Sequence, residues 1–196
     1  MNIDFVTTTI NCPELLEETY QSYKDNINDL NLKDCRLILN IDPIPNNQNI
    51  DKILKVCSKY FKNVVHRVSK ECNFTKGNLW CLSQVETDYF FYLQANKCIK
   101  REISFKHMKT LFDNKIVSVA LSPIVKSGIL DYLNWHPNLW KTSWIKNTYL
   151  KYASNDLSSE YQLRELGLLD GVKTVCYLKH TDNKYFLNHI GKKYKL

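Results

Sequence analysis

Tyr89-Phe90-Phe91-Tyr92-Leu93, running straight into Gln94-Ala95-Asn96, is the stretch on which the fold turns. An apolar run without polar alternation suits a strand buried on both faces, and strands of that kind belong to parallel sheets covered by helices on either side. The three residues after it fall where such a strand opens onto a cleft, and none is a carboxylate. Whether the protein can hold a divalent metal is decided there.

Working outward, the same strand-then-helix order recurs along the chain. Ile3 to Ile10 is rich in β-branched and aromatic residues and predicts a first strand. Pro13, with Glu14, Glu17 and Glu18 after it, suits the start of a helix whose apolar face is Leu15, Leu16, Thr19, Tyr20, Tyr23 and Ile27. Arg36 to Ile41 predicts a second strand ending at Asp42, stopped by Pro43 and Pro45, and Ile50, Ile53, Leu54 and Cys57 line the next helix. Val64 to Val68 predicts a third strand, and Thr75 is placed to cap a helix turning Leu79, Leu82 and Val85 inward. The opening stretch is the fourth strand, Phe105, Met108, Leu111 and Phe112 face inward from the helix after it, and Ile116 to Leu121 predicts a fifth strand.

Past Pro123 the pattern changes to clustered aromatic and polar residues, with a helix predicted from Ser143 toward Tyr152. Ser159 and Gln162 have capping-box spacing around a short helix over Glu160 to Leu166, ended by Gly167. Lys173 to Leu178 predicts a late strand, followed by Tyr185 to Ile190. The whole is an α/β class with a mostly parallel central sheet flanked by helices. Residues 1–196 are expected to form one domain, with a nucleotide-binding half over about 1–100 and an acceptor-side half over about 101–196. In such sheets ligands bind beyond the carboxyl ends of the strands, so the loops Thr8 to Cys12, Asp42 to Pro45, Ser69 to Asn78 and Gln94 to Lys97 carry the expectation of a site.

Bulk composition narrows the classes. With 44% hydrophobic residues, 12 Tyr, 8 Phe and 4 Trp but only 5 Gly and 5 Pro, the chain is a folding sequence rather than a disordered one. Its 7 cysteines include no CxxC pair and no histidine at zinc-ligand spacing, which predicts reduced thiols and a cytoplasmic setting. The N-terminus reads as strand then acidic helix, not as a signal peptide, and no apolar stretch reaches membrane-spanning length. A net charge of +7 favours phosphates or nucleic acid as partners. The lysines are spread along the chain, and the one dense run is Lys192-Lys193-Tyr194-Lys195.

Several chemistries lack their residues. Thr8-Thr9-Ile10-Asn11-Cys12 contains no glycine, which argues against a dinucleotide or P-loop site, and no serine elbow or HExxH segment is present. Phosphate, if bound, must be held by lysines, loop amides or helix ends.

Taken in order, five segments resemble the nucleotide-sugar-dependent glycosyltransferases of the GT-A type, and specifically glycosyltransferase family 2. Thr7-Thr8-Thr9-Ile10-Asn11 resembles the opening strand and nucleotide-facing loop, and Leu39-Asn40-Ile41-Asp42 the second strand with its base-contacting aspartate. Asn73-Phe74-Thr75-Lys76-Gly77-Asn78-Leu79 resembles the helix start beside the donor. Tyr92-Leu93-Gln94-Ala95-Asn96 falls where that family has its metal-binding DxD signature, here degenerate, and Tyr185 to Gly191 resembles the closing region whose histidine faces metal or diphosphate.

The resemblance implies a nucleotide-sugar donor, of UDP-sugar type, contacted by Thr8, Thr9, Asn11, Asp42, Asn73, Lys76, Asn78, Gln94, Ala95, Asn96, Lys141 and His189. Gln94 and Asn96 offer neutral oxygens where a hard ion prefers anionic ones. Leaving-group charge is then expected to fall on Lys97, Lys141, His189 and Lys192, with a weakly held Mn or Mg ion on His189 left open. Inverting transfer needs a general base, for which Glu160 comes first and Asp156 second. Trp135, Trp140 and Trp144 are candidates for an acceptor platform, since indole rings stack on sugars and bases. The acceptor expected is a glycan or a modified base in DNA. A non-catalytic sugar-nucleotide-binding protein of the same fold is the alternative, and a nucleotidyltransferase is disfavoured because residues 7–14 hold neither glycine nor arginine.

Overall fold

A computed structural model describes residues 2–10, 12–43, 49–121, 135, 137–154, 173–177 and 187–189. The β-branched N-terminal run forms β1 (Asp4–Ile10), and Pro13, whose missing N–H costs nothing in a first turn, begins α1 (Pro13–Asn26). β2 (Arg36–Asp42), α2 (Ile50–Tyr60), β3 (Asn63–Val68), α3 (Phe74–Ser83) and β4 (Tyr89–Tyr92) continue the alternation. Then come β5 (Lys97–Ile99), α4 (Phe105–Thr110), β6 (Ile116–Ala120), β7 (Asn138–Lys141), α5 (Thr142–Asn147), α6 (Tyr149–Tyr152), β8 (Lys173–Cys176) and β9 (Leu187–His189).

The main sheet has the order β3-β2-β1-β4-β7-β6-β8. Every strand in it runs in one direction except β7, which is antiparallel to both β4 and β6. The mostly parallel α/β architecture expected from the sequence is therefore the one observed. Because both faces are covered, neighbouring residues of one strand enter different cores. Phe5, Leu37, Leu39 and Phe91 pack with Tyr20, Ile53 and Phe105 on one side, whereas Val6, Ile38, Phe90 and Tyr92 pack with Cys81, Ile145 and Tyr149 on the other. Each such side chain stabilises the fold by about 2 kcal/mol, which is why the apolar run needs no alternation.

Three local readings of the sequence are corrected. Residues 138–141 form a strand, where the sequence suggested only a polar-aromatic cluster: Tyr89 pairs with Lys141 and Tyr92 with Asn138. Helix α3 is capped by Asn73, whose side chain accepts from the Lys76 amide, and not by Thr75, which lies inside the helix. The helix expected over 143–152 is two pieces, interrupted at Thr148 with φ −120° and ψ −81°. A β-branched residue whose hydroxyl bonds the Trp144 carbonyl offers the backbone that alternative to helical continuation.

At the amino-terminal edge of the sheet, Asp4 is 1% exposed and ties three segments together. It accepts from Arg36 through Nε at 3.0 Å and a terminal nitrogen at 2.7 Å, and from the backbone amides of Glu86 at 2.8 Å and Thr87 at 3.3 Å. An open groove of about 840 Å³ beside it is lined by Asp4, Arg36, Lys62 and Glu86 among others. Arg36 already pairs there with both Asp4 and Glu86, so we assign the groove to structure. Burial pushes the Asp4 carboxyl up, but the Arg36 bonds and the two amides outweigh it and hold its pKa below the ordinary 3.8. A depressed carboxyl stabilises fully above its unfolded pKa and loses that contribution as pH falls through the native value. Asp4→Asn is expected to cost about 3 kcal/mol in urea denaturation at neutral pH. It should also flatten the acid limb of the stability curve below about pH 4; an unchanged midpoint and acid limb would refute the assignment.

Candidate functional site

The carboxyl ends of β1, β2 and β4 meet where the strand order changes direction, β1 pairing with β2 on one side and β4 on the other. Ligands bind at such points because the flanking connections leave by opposite faces and open a crevice. Register puts Thr8, Asn40 and Arg67 abreast on three adjacent strands. Asn40, with no exposed surface, is the hub of the group. Its Oδ1 accepts from Arg67 Nε and Ser69 Oγ, both at 2.9 Å, and its Nδ2 donates to Asp42 Oδ1 at 2.8 Å. Arg67 also donates to the Lys76 carbonyl at 3.1 Å and lies over the Trp80 ring, locking β3 to α3.

Asp42 is thereby held at the end of β2 with one carboxylate oxygen oriented, while the other faces the Cys72 thiol at 4.0 Å. Burial raises the pKa of Asp42 above 3.8, and the Asn40 and Ser69 side chains and the Arg67 charge only partly offset it. A buried carboxylate with few donors is completed by a ligand that brings an N–H or O–H. On α3, Asn78 has no exposed surface, and neither its Nδ2 nor its Oδ1 has a partner among the described residues. An unpaired buried amide costs roughly 1–3 kcal/mol per group, so its retention fits a polar ligand better than packing.

On the other side of the cleft, Tyr92 shares a hydrogen bond with Thr8 at 3.1 Å, and the chain turns through Gln94-Ala95-Asn96. The Lys97 amide closes that turn on the Gln94 carbonyl at 3.1 Å, and Thr19 of α1 donates to the Ala95 carbonyl at 2.6 Å. Gln94 Oε1 is buried without a partner among the described residues. Strand β5 follows directly and pairs antiparallel with β9, setting His189 opposite Lys97. The fold thus brings the distant β9 backbone alongside the start of β5. Lys97 is half-buried, and desolvation by that burial lowers its pKa.

The donor set does not fit a hard divalent ion: Gln94 and Asn96 present neutral oxygens only. Among the described residues no three His, Cys, Asp or Glu side chains converge as a metal site.

Of the residues singled out from the sequence, Thr8, Asp42, Asn73, Lys76 and Asn78 gather around β2 and the start of α3. Thr9 is buried at the end of β1. Asn73 spends its oxygen on the helix cap, and the Lys76 ammonium is bound to Glu71. Lys141 is a correction. Since β7 runs against β4, its last residue lies at the amino edge of the sheet, three positions or about 10 Å from the Asn138 level. There its ammonium donates to the Asp113 carbonyl. The acceptor platform is also corrected: Trp135 and Trp140 are 1% and 0% exposed. Their rings pack with Tyr92, Tyr149 and each other, covering the faces a sugar would need. Trp144, half-buried and stacked on Trp140 at 6.0 Å, keeps part of its ring free. Asn11, Asp156 and Glu160 lie outside the described residues.

Asn40, Arg67 and Ser69 were missed as site residues. The available signal was Asn40 itself, an amide inside an otherwise apolar strand. Gly77 was also passed over. A Cβ there would sit 2.6 Å from Asn40 Nδ2, so only glycine lets α3 approach the hub. Gly77→Ala is expected to lose about 1–3 kcal/mol to this overlap, against a gain of roughly 1 kcal/mol in helix propensity. Net destabilisation in urea denaturation is the expected result; a stabilised variant would show that Asn40 yields.

The sequence matches no protein-family model, and no curated protein matches it. Solved structures do resemble the fold. Residues 1–349 of S. aureus TarS superpose with a TM-score of 0.66 at 15% identity, over 95% of this chain and 60% of that one. The same TarS piece in complex with UDP-GlcNAc gives 0.64 at 12% identity, over 95% and 58%. The mannosyltransferase PcManGT from Pyrobaculum calidifontis, in complex with GDP-Man and Mn2+, gives 0.63 at 10% identity, over 94% and 58%. This chain therefore spans about three fifths of the length of those proteins. At such identities the likeness establishes the fold, that of GT-A type glycosyltransferases.

Proposed function

We propose that the protein transfers a sugar from a nucleoside diphosphate donor, of UDP-sugar type, to an acceptor hydroxyl or equivalent nucleophile, with inversion. The observation that carries this reading is Asp42, held buried at the carboxyl end of β2 by Asn40 and turned toward the cleft loops with unfilled acceptor capacity. A pyrimidine imino group or a ribose hydroxyl supplies the missing donor. Asn78 adds both a donor and an acceptor to the same side of the cleft, suited to ribose or diphosphate oxygens.

In the reaction the acceptor oxygen attacks the anomeric carbon and gives its proton to a carboxylate. The bond from that carbon to the diphosphate oxygen breaks, and the electron pair leaves with the diphosphate. We assign the base to Glu160, with Asp156 as the second choice, and the exposed part of Trp144 to acceptor stacking. Glycans and modified bases of DNA are the acceptor classes, the latter in keeping with the net charge of +7. A non-catalytic sugar-nucleotide-binding protein is the competing reading, favoured by the missing carboxylates at residues 94–96.

Calorimetric titration with UDP- and GDP-sugars decides whether a donor binds, and failure of every donor would sink both readings. Glu160→Gln is expected to retain donor affinity while turnover falls by about 100-fold or more. A fully active variant would move the base elsewhere, and a wild-type chain that binds donor but turns over no acceptor would favour the non-catalytic protein. Donor binding needs Asp42 ionised, and its pKa is raised. Affinity should therefore fall on acidification at a pH above that expected of an ordinary aspartate, and Asp42→Asn should remove that inflection.

A further inference from the structure

We propose that the Lys97 ammonium neutralises the diphosphate of the donor, in the position where a divalent ion would otherwise be needed. This rests on the donor reading above and names the group that makes it work without metal carboxylates. The first support is place. Lys97 closes the Gln94-Ala95-Asn96 turn through its own amide and begins β5, so its flexible four-carbon stem starts at the mouth of the cleft. The neighbouring thiol of Cys98 faces α1, bonding the Glu18 carbonyl at 3.7 Å. Alternation along a strand then sends Lys97 to the other face of β5.

The second support is that its charge is unspent among the described residues. Ion pairs among the described residues engage Arg36, Lys59 and Lys76, and Lys97 enters none of them. Around the cleft, Arg67 is committed to Asn40 and the Lys76 carbonyl, Lys76 to Glu71, and Lys141 sits at the far edge of the sheet. A half-buried lysine with no carboxylate partner there is costly unless an anion arrives. The third support is Gln94 Oε1 in the same turn, buried without a partner among the described residues, an acceptor suited to a hydroxyl of the donor sugar. Cation and acceptor together match a sugar diphosphate, the ammonium meeting the leaving oxygen as it gains the electron pair of the broken bond.

The test is titration of the full chain with UDP and with UMP, both in excess chelator. Lys97→Met should weaken UDP binding by about tenfold or more, equivalent to roughly 1.4 kcal/mol, and UMP binding much less. Lys97→Arg, which keeps the charge, should recover most of the UDP affinity. Lys97→Gln replaces the methionine variant if thermal denaturation shows the latter unfolded. Equal losses for UDP and UMP, wild-type UDP affinity in the variant, or collapse of wild-type UDP binding in chelator would each overturn the proposal while leaving the donor reading standing. A wild-type chain that binds neither nucleotide, in chelator or with added Mn or Mg, overturns both.

Discussion

The grip on Asn40 is the constraint from which the cleft follows. A primary amide with no exposed surface must satisfy its groups inside the protein, and this one does so with three partners from different places in the chain. Arg67 comes from the neighbouring strand, Ser69 from the loop after it, and Asp42 from two residues along its own strand. The hub can form only because Gly77 lets α3 come down onto it. One buried polar side chain thus joins two strands, a loop and a helix, and it presents a carboxylate to the cleft with its orientation set. Polar networks of this kind are costly when incomplete, and their completeness is what makes the geometry specific.

The other wall of the cleft obeys a different constraint. Both polar atoms of Asn40 have partners, whereas here Gln94 keeps a buried oxygen unpaired among the described residues, as Asn78 does on the Asp42 side. Lys97 stays half-buried with no carboxylate partner among the described residues. A protein that needed only stability would replace such groups by apolar ones of similar shape. Their place beside a strand-order reversal is what the proposal of an anionic donor rests on. The fully paired Asp4 and Arg36 at the opposite edge of the same sheet show what the structural counterpart looks like.

Much of the fold was legible because it depends on local patterns. The unbroken apolar run at Tyr89 to Leu93, the proline and glutamates at the start of α1, and the helical spacing of Leu16, Tyr20 and Tyr23 each reflect one element burying one face. The site was legible in part. Asp42 and Gln94 to Asn96 stand at strand ends, which chain order alone reveals. Strand β7 was not legible, because Asn138 to Lys141 is short and its direction depends on which strands receive it. That direction moved Lys141 to the wrong end of the sheet for a cleft residue and drew Trp140 into the core.

By itself the sequence determined the alternation of strands and helices, the burial of the central strands on both faces, and the absence of carboxylates at residues 94–96. These are properties of residue type and near-neighbour spacing. Only the tertiary structure decided which polar residues share a cleft. It joined Asn40 to Arg67, brought α3 against them at Gly77, and set the His189 segment beside Lys97 through the β5 and β9 pairing. Such contacts depend on strand order, register and direction, which arise from how many segments bury their faces together and are written in no single stretch of chain.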